Sequence, residues 1–463
     1  MIEHVQQDPA PQRGHRRAAA TGLAVGLVAA SLGGCSTPTD EHPRNIIVLI
    51  GDGMGYNQVD LASLYQAGTS DSQVVVDGER PSASALPRTP TQPFERFDVR
   101  LAVSTYSVAG SYDGTLAWTD PAYVDRAPTD SAAAATALAS GVKTYDAAIG
   151  VGPDKQPVEL VTERAAAVGK ATGVVTSVPF SHATPAGFAT HEADRDSYRA
   201  ITADYLASDL DVIMGAGHPL YDDDHRRVDE QYKYISTADW LALTTGDTPF
   251  TFLDDPSDLA ALATAVDPPD RVFGVAQVAS TLQERRTGDL QADPYAAPLN
   301  DVPSLATLAR GALNVLGRDP DGLLLMVEGG AIDWAGHDNS AGRLIEEALA
   351  FDATVQAVVT WVEHESSWDE TLVVVTADHE TGHLTGPGPE GGWAPLTGTR
   401  GQVAANTWQS DEHTNSLVPL FARGAGAQHL VERADASDPV RGAYLDNTEV
   451  AQVVLDALGQ PRG

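Results

Sequence analysis

Four short apolar runs recur along the chain: N-I-I-V-L-I at 45–50, A-T-G-V-V-T-S-V at 171–178, G-L-L-L-M-V at 322–327 and T-L-V-V-V-T at 371–376. They are apolar at successive positions and rich in β-branched residues, which suits strands covered on both faces of a parallel sheet. Each run gives way to acids, histidines and small residues: G-D-G-M-G, P-F-S-H-A-T-P, E-G-G-A-I-D-W-A-G-H and A-D-H-E-T-G-H. Between them the period changes. Leu344, Ile345, Ala348, Leu349, Val355, Val358, Val359 and Val362 form one helical stripe, and Val450, Val453, Val454, Ala457 and Leu458 another. Strands alternating with helices predict an α/β fold, a mostly parallel central sheet flanked by helices on both faces. Ligands of such sheets sit beyond the carboxyl ends of the strands, where all four polar clusters fall. A single domain is expected over 45–463, with insertions near 78–93, 244–303 and 386–399, which are rich in Pro, Gly, Ser or Asp.

The amino-terminal segment changes the compartment. Arg13, Arg16 and Arg17 precede the apolar stretch Ala18–Leu32, too short for a bilayer span, and L-G-G-C follows. Residues 1–34 therefore read as an export leader and 35–44 as a polar tether. Leu32-Gly33-Gly34-Cys35 resembles a bacterial lipoprotein signal, which offers a lipid anchor at Cys35, and Arg16-Arg17 is a partial match to a twin-arginine signal. The expected location is the cell envelope, anchored through Cys35, or secreted or periplasmic. Cys35 is the single cysteine, so no disulfide forms within the chain.

A net charge of −35, with only Lys143, Lys155, Lys170 and Lys233 as lysines, argues against stable nucleic-acid binding. An acidic surface opposes the approach of an anionic substrate. A site for such a substrate needs concentrated local positive charge.

Taken singly, the polar clusters have ordinary readings. Asp52 could be a turn acid, Asp333 and His337 a helix-face pair, His413 a solvated loop histidine, and Asp130-Ser131 the cap of the alanine helix T-D-S-A-A-A-A-T-A. Asp378-His379 at a strand end suits a metal better than a core. The acids Asp222–Asp224 with His218 and His225 read as a solvated loop, and His191 and His383 as neighbours of the site or surface residues.

Taken together and in order, G-D-G-M-G, T-D-S-A-A-A-A-T-A, H-A-T-P-A followed by Arg195, V-E-G-G-A-I-D-W-A-G-H, T-A-D-H-E and E-H-T resemble the alkaline phosphatase family. The resemblance runs from about Asn45 to Gly424. It implies one Zn2+ held by Asp333, His337 and His413 and a second by Asp52, Asp378 and His379. A third ion, Mg2+, falls to Asp52, Thr184 and Glu328, with Ser131 as nucleophile and Arg195 as the phosphate clamp. The implied substrate is a phosphate monoester, cleaved through a phosphoserine. Two divalent ions outweigh the three carboxylates in their shells, so net positive charge remains for the phosphoryl group. Many family members are homodimers.

Two positions depart from the best-known bacterial pattern. His182 stands where an aspartate lies beside the third metal, which could admit another metal there. Trp334 replaces a lysine that helps hold phosphate. Competing readings are a phosphodiesterase of the same superfamily and a non-catalytic phosphate- or metal-binding lipoprotein. A sulfatase would need a C/S-x-P-x-R motif that T-D-S-A-A-A lacks. Thr184, Glu328 and Arg195 favour monoesters over diesters.

Overall fold

The computed structural model describes residues 42–76, 83–86, 88–120, 122–388 and 392–459, all within the unit Asp40–Gly463. The leader, the twin arginines, Cys35 and most of the tether lie outside the described residues, as do parts of the insertions at 78–93 and 386–399.

The four apolar runs become adjacent strands at the centre of an eleven-stranded sheet. Its strands are β1 (Asn45–Gly51), β2 (Val99–Ser104), β3 (Ala171–Pro179), β4 (Val212–Ala216), β5 (Thr251–Leu253), β6 (Val272–Val275), β7 (Leu323–Gly329), β8 (Thr371–Thr376), β9 (Val418–Gly424), β10 (Ala436–Asp438) and β11 (Gly442–Asp446). The order across the sheet is β10-β11-β2-β9-β8-β1-β7-β3-β4-β6-β5. From β8 to β5 every pairing is parallel. Strand β9 runs against both its neighbours, and β10 is antiparallel to β11. Every residue of β1, β3, β7 and β8 is buried, as contiguous apolar runs require.

The helices that frame the site are α1 (Tyr56–Ala67), α2 (Ser131–Ser140), α3 (Ala183–Gly187), α4 (Leu305–Leu316), α5 (Ala331–His337), α6 (Ala341–Glu365) and α7 (Asn447–Leu458). They pack in two groups, α1, α4 and α5 around α6, and α3 and α7 against α2. The stripe on α6 is buried except for half-buried Leu349, and that on α7 except for half-buried Ala457. All ten residues of α2 are buried. Its alanines let α3 approach so closely that a Cβ on Gly187 would lie 2.8 Å from that of Ala135.

Segment 244–303, expected as an elaboration on the core, supplies sheet strands β5 and β6 and a helix at Pro256–Leu262. Its apolar pieces T-F-L and V-F-G-V are short and set among Asp and Pro, so they carry little periodic signal. Among the described residues no helix is long and apolar enough to cross a membrane.

Candidate metal centre and nucleophile

The carboxyl ends of three central strands deliver most of the site. Asp52 follows β1, Glu328 is the penultimate residue of β7, and Asp378-His379 follow β8. Helix α5, starting just after β7, carries Asp333 and His337 one turn apart. His413 comes from a two-residue strand, His413–Thr414, paired with Glu380–Thr381. The turn after β1 needs glycine at Gly53: φ is +70°, and a Cβ there would meet Thr381 Oγ1 at 2.7 Å and Asp333 Cα at 2.8 Å.

Asp333, His337 and His413 form one cluster whose ligand atoms all lie within 4.8 Å of one another. His337 Nδ1–H donates to Asp411 O at 2.5 Å, and His413 Nδ1–H to Thr129 O at 2.9 Å. Those bonds fix both tautomers and turn both Nε2 atoms inward, 3.1 Å apart and 3.4 and 3.3 Å from Asp333 Oδ1. Burial pushes the Asp333 carboxyl up, but hydrogen bonds from His337 and His413 outweigh it and hold it well below the usual carboxylate range. Burial lowers His337, yet the Asp333 carboxylate prevails and pushes it up to about 9. His413 is raised for the same reason.

Asp52, Asp378 and His379 form a second cluster with the same spread, and all three are fully buried. Asp378 Oδ1 accepts from Gly53 N and His379 N at 3.1 and 3.0 Å. Its Oδ2 and both oxygens of Asp52 have no hydrogen-bond partner among the described residues. Burial holds the His379 imidazole well below its ordinary range and therefore neutral. Thr381 O–H donates to Asp333 Oδ1 at 2.5 Å, so its oxygen is left to accept from His379 Nδ1–H at 3.3 Å. The Nε2 lone pair then faces Asp378 Oδ2 at 3.3 Å and Asp52 Oδ1 at 3.6 Å. Lone pairs aimed at buried carboxylate oxygens repel, and a cation among them, or a proton on the carboxyl, relieves the repulsion.

Thr184 and Asp52 face the Glu328 carboxylate. Glu328 Oε2 accepts from Thr176 Oγ1, whereas Glu328 Oε1 and Thr184 Oγ1 enter no well-formed hydrogen bond among the described residues. Burial pushes Asp52, Glu328 and Asp378 all above their ordinary values, and the neighbouring carboxylates add to it. Three such oxygen donors suit a hard cation such as Mg2+.

Ser131 opens α2, where the first N–H groups of a helix have no intrahelical acceptor. Its Oγ lies 3.2 Å from His379 Nε2. The cap is Asp130: its Oδ1 accepts from Ala133 N at 2.9 Å, and its Oδ2 accepts from Arg195 Nη1 at 2.9 Å. One carboxylate thus orients both the serine's helix and the guanidinium. This link was not anticipated, nor was Thr381, which ties the two cation clusters together.

His182 caps α3, and its buried Nδ1 has no hydrogen-bond partner among the described residues. Burial, reinforced by Arg195, lowers it to about 3. Trp334 meets the His182 ring edge-on at 5.6 Å, and the Arg285 guanidinium stacks over Trp334 at 5.1 Å. The acids of the 222–224 loop bond to Ser280, Thr287 and Arg226, and they form no metal cluster among the described residues. His191 bridges Gly150 O and Glu163, while His383 lies 3.7 Å from Asp125.

The Alkaline phosphatase family model matches residues 113–399. Alkaline phosphatase 3 of Bacillus subtilis is 32% identical over 74% of the chain, which spans 62% of that relative's length; it spans 64% of alkaline phosphatase 4 from the same organism. The streptomycin-6-phosphate phosphatase of Streptomyces griseus is 30% identical over 96% of the chain and 97% of its own length. The solved alkaline phosphatase of the Antarctic bacterium TAB5 superposes with a TM-score of 0.60 at 25% identity, covering 90% of this chain and 98% of the other. With two Asp/His clusters converging on a helix-capped serine over this sheet, the chain belongs to the alkaline phosphatase family.

Proposed function

We propose that this protein hydrolyses phosphate monoesters to inorganic phosphate and an alcohol through a phosphoserine at Ser131. The observation that carries the reading is the place of Ser131: a buried hydroxyl at a helix start, 3.2 Å from an imidazole nitrogen of a cation cluster. Asp333, His337 and His413 would hold one Zn2+, Asp52, Asp378 and His379 a second, and Asp52, Thr184 and Glu328 an Mg2+. Bound there, the cations supply positive charge for the phosphoryl oxygens and lower the proton affinity of the hydroxyls they touch.

The chain's own groups do the rest. Ser131 Oγ forms a bond to phosphorus as the bond to the leaving oxygen breaks, and the alcohol departs. Arg195, fixed by Asp130, offers two parallel N–H donors to the phosphoryl oxygens. Water then attacks the phosphoserine, releasing phosphate and restoring the Ser131 hydroxyl. Two in-line displacements leave the configuration at phosphorus unchanged.

His182 fits beside the third cation. A variant of the TAB5 enzyme with aspartate in place of a histidine has Mg bound in its M3 site. By that likeness His182 would neighbour the third site. Export and lipid attachment at Cys35 rest on the leader motif alone. An aryl phosphate and the corresponding bis-aryl phosphate, assayed before and after chelation, test the reading. Faster turnover of the monoester, lost on chelation and restored by Zn2+ with Mg2+, is expected; preference for the diester overturns it.

A further inference from the structure

A cavity of about 630 Å3, counting its open mouth, adjoins the site. Tyr221, Lys233, Tyr234, Ser280 and Trp334 line it. Trp334 belongs to both places, since it follows the ligand Asp333 in α5 and touches the His182 ring. A second link runs through Tyr198, stacked on His182 with ring centroids 6.5 Å apart and packed edge-on against Tyr234 at 5.1 Å.

The walls are flat rings and the one ammonium at the mouth is Lys233. Its Nζ lies 4.8 Å from the Tyr234 ring centroid and 5.4 Å from that of Tyr198, and it enters no ion pair among the described residues. Lys155 likewise lies over a tyrosine ring, 5.4 Å from the centroid of Tyr145. Lys143 pairs with Asp446 at 2.9 Å, and Lys170 donates to the carbonyls of Arg44 and Asp321. The nearby Arg285 is also committed, to Asp338 and Glu284. The cavity therefore combines aromatic walls with one uncommitted positive charge, beside a site that takes phosphate.

We infer that this cavity receives the leaving group of the monoester and favours a planar leaving group that carries a second negative charge, held by Lys233. The inference rests on the phosphomonoesterase reading. The ring lies among Trp334, Tyr221 and Tyr234, where its burial stabilises the complex, and its anionic substituent meets the ammonium.

The test compares 4-carboxyphenyl phosphate with phenyl phosphate as substrates of the metal-loaded enzyme, in wild type, Lys233→Gln and Lys233→Arg. Lys233 is exposed, so its ion pair is modest. The ratio of kcat/KM values, carboxyphenyl over phenyl, should fall about threefold to fivefold in Lys233→Gln. It should be kept in Lys233→Arg and shrink in wild type as salt is added. A ratio that does not move in Lys233→Gln overturns the inference. So does a variant in which both esters and inhibition by inorganic phosphate weaken alike, because the ammonium then acts on the phosphoryl group. If wild type cleaves neither monoester but cleaves a diester, the monoesterase reading falls and the subsite with it.

Discussion

The two cation clusters share Thr381 and differ in how they balance charge. In the cluster of Asp333, His337 and His413, two imidazoles face one carboxylate. The carboxyl is held low, His337 is pushed up to about 9, and the His337 side chain is 33% exposed. Protons supply the balancing charge there when metal does not. In the cluster of Asp52, Asp378 and His379, two carboxylates face one neutral imidazole, Glu328 adds a third beside Asp52, and nothing is exposed. Neither Asp52 oxygen accepts a hydrogen bond among the described residues. The first cluster is self-compensating; the second holds an excess of carboxylates that a bound cation would balance. Binding energy at the second cluster is therefore also folding energy.

Asp52→Asn breaks this comparison hardest. It removes a carboxylate that the second and third cation sites share, so activity should fall at least about a hundredfold. After chelation the same variant should be more stable than chelated wild type, by about 1–3 kcal/mol in urea unfolding at pH 8, because a carboxyl that is costly to bury at that pH has gone. A carboxyl whose pKa is higher in the folded than in the unfolded state takes up a proton on folding. Its favourable share is complete below the unfolded value and is lost as pH rises through the folded one. Asp52, Asp378 and Glu328 are all shifted in that direction. Chelated protein should thus lose stability from about pH 4 upward, with a shallower loss in Asp52→Asn. Equal slopes for the two proteins would contradict the charge imbalance.

A smaller effect is expected from Thr381→Val, which keeps shape but deletes the hydroxyl joining Asp333 to His379. Cation affinity should weaken about tenfold at both clusters, read by competition with a chromophoric chelator. Weakening at one cluster alone would show the two to be independent.

The centre of the sheet was legible because strands buried on both faces must be apolar at every position, as in N-I-I-V-L-I and T-L-V-V-V-T. Strands β5, β6 and β9 were harder. They are short or interrupted, as V-P-L-F-A-R-G is by proline. The eight metal-ligand candidates came from motif order, and the structure brings them together at the strand ends. The contacts that orient them were not legible. Asp130 reaches Arg195 across 65 residues, Thr381 reaches Asp333 across 48 and Thr176 reaches Glu328 across 152. Nothing local in a threonine or an aspartate announces such a partner.

Ser131 Oγ lies where the helix start meets the second cluster. The direct measurement is acid-quenched labelling with a monoester carrying radioactive phosphate, followed by peptide mapping, in wild type and in Ser131→Ala loaded with the same metals. The prediction is label on the Ser131 peptide of wild type, none in the variant, and most hydrolysis lost while both proteins bind equal zinc. Undiminished turnover by Ser131→Ala, or label on a different residue, would contradict it.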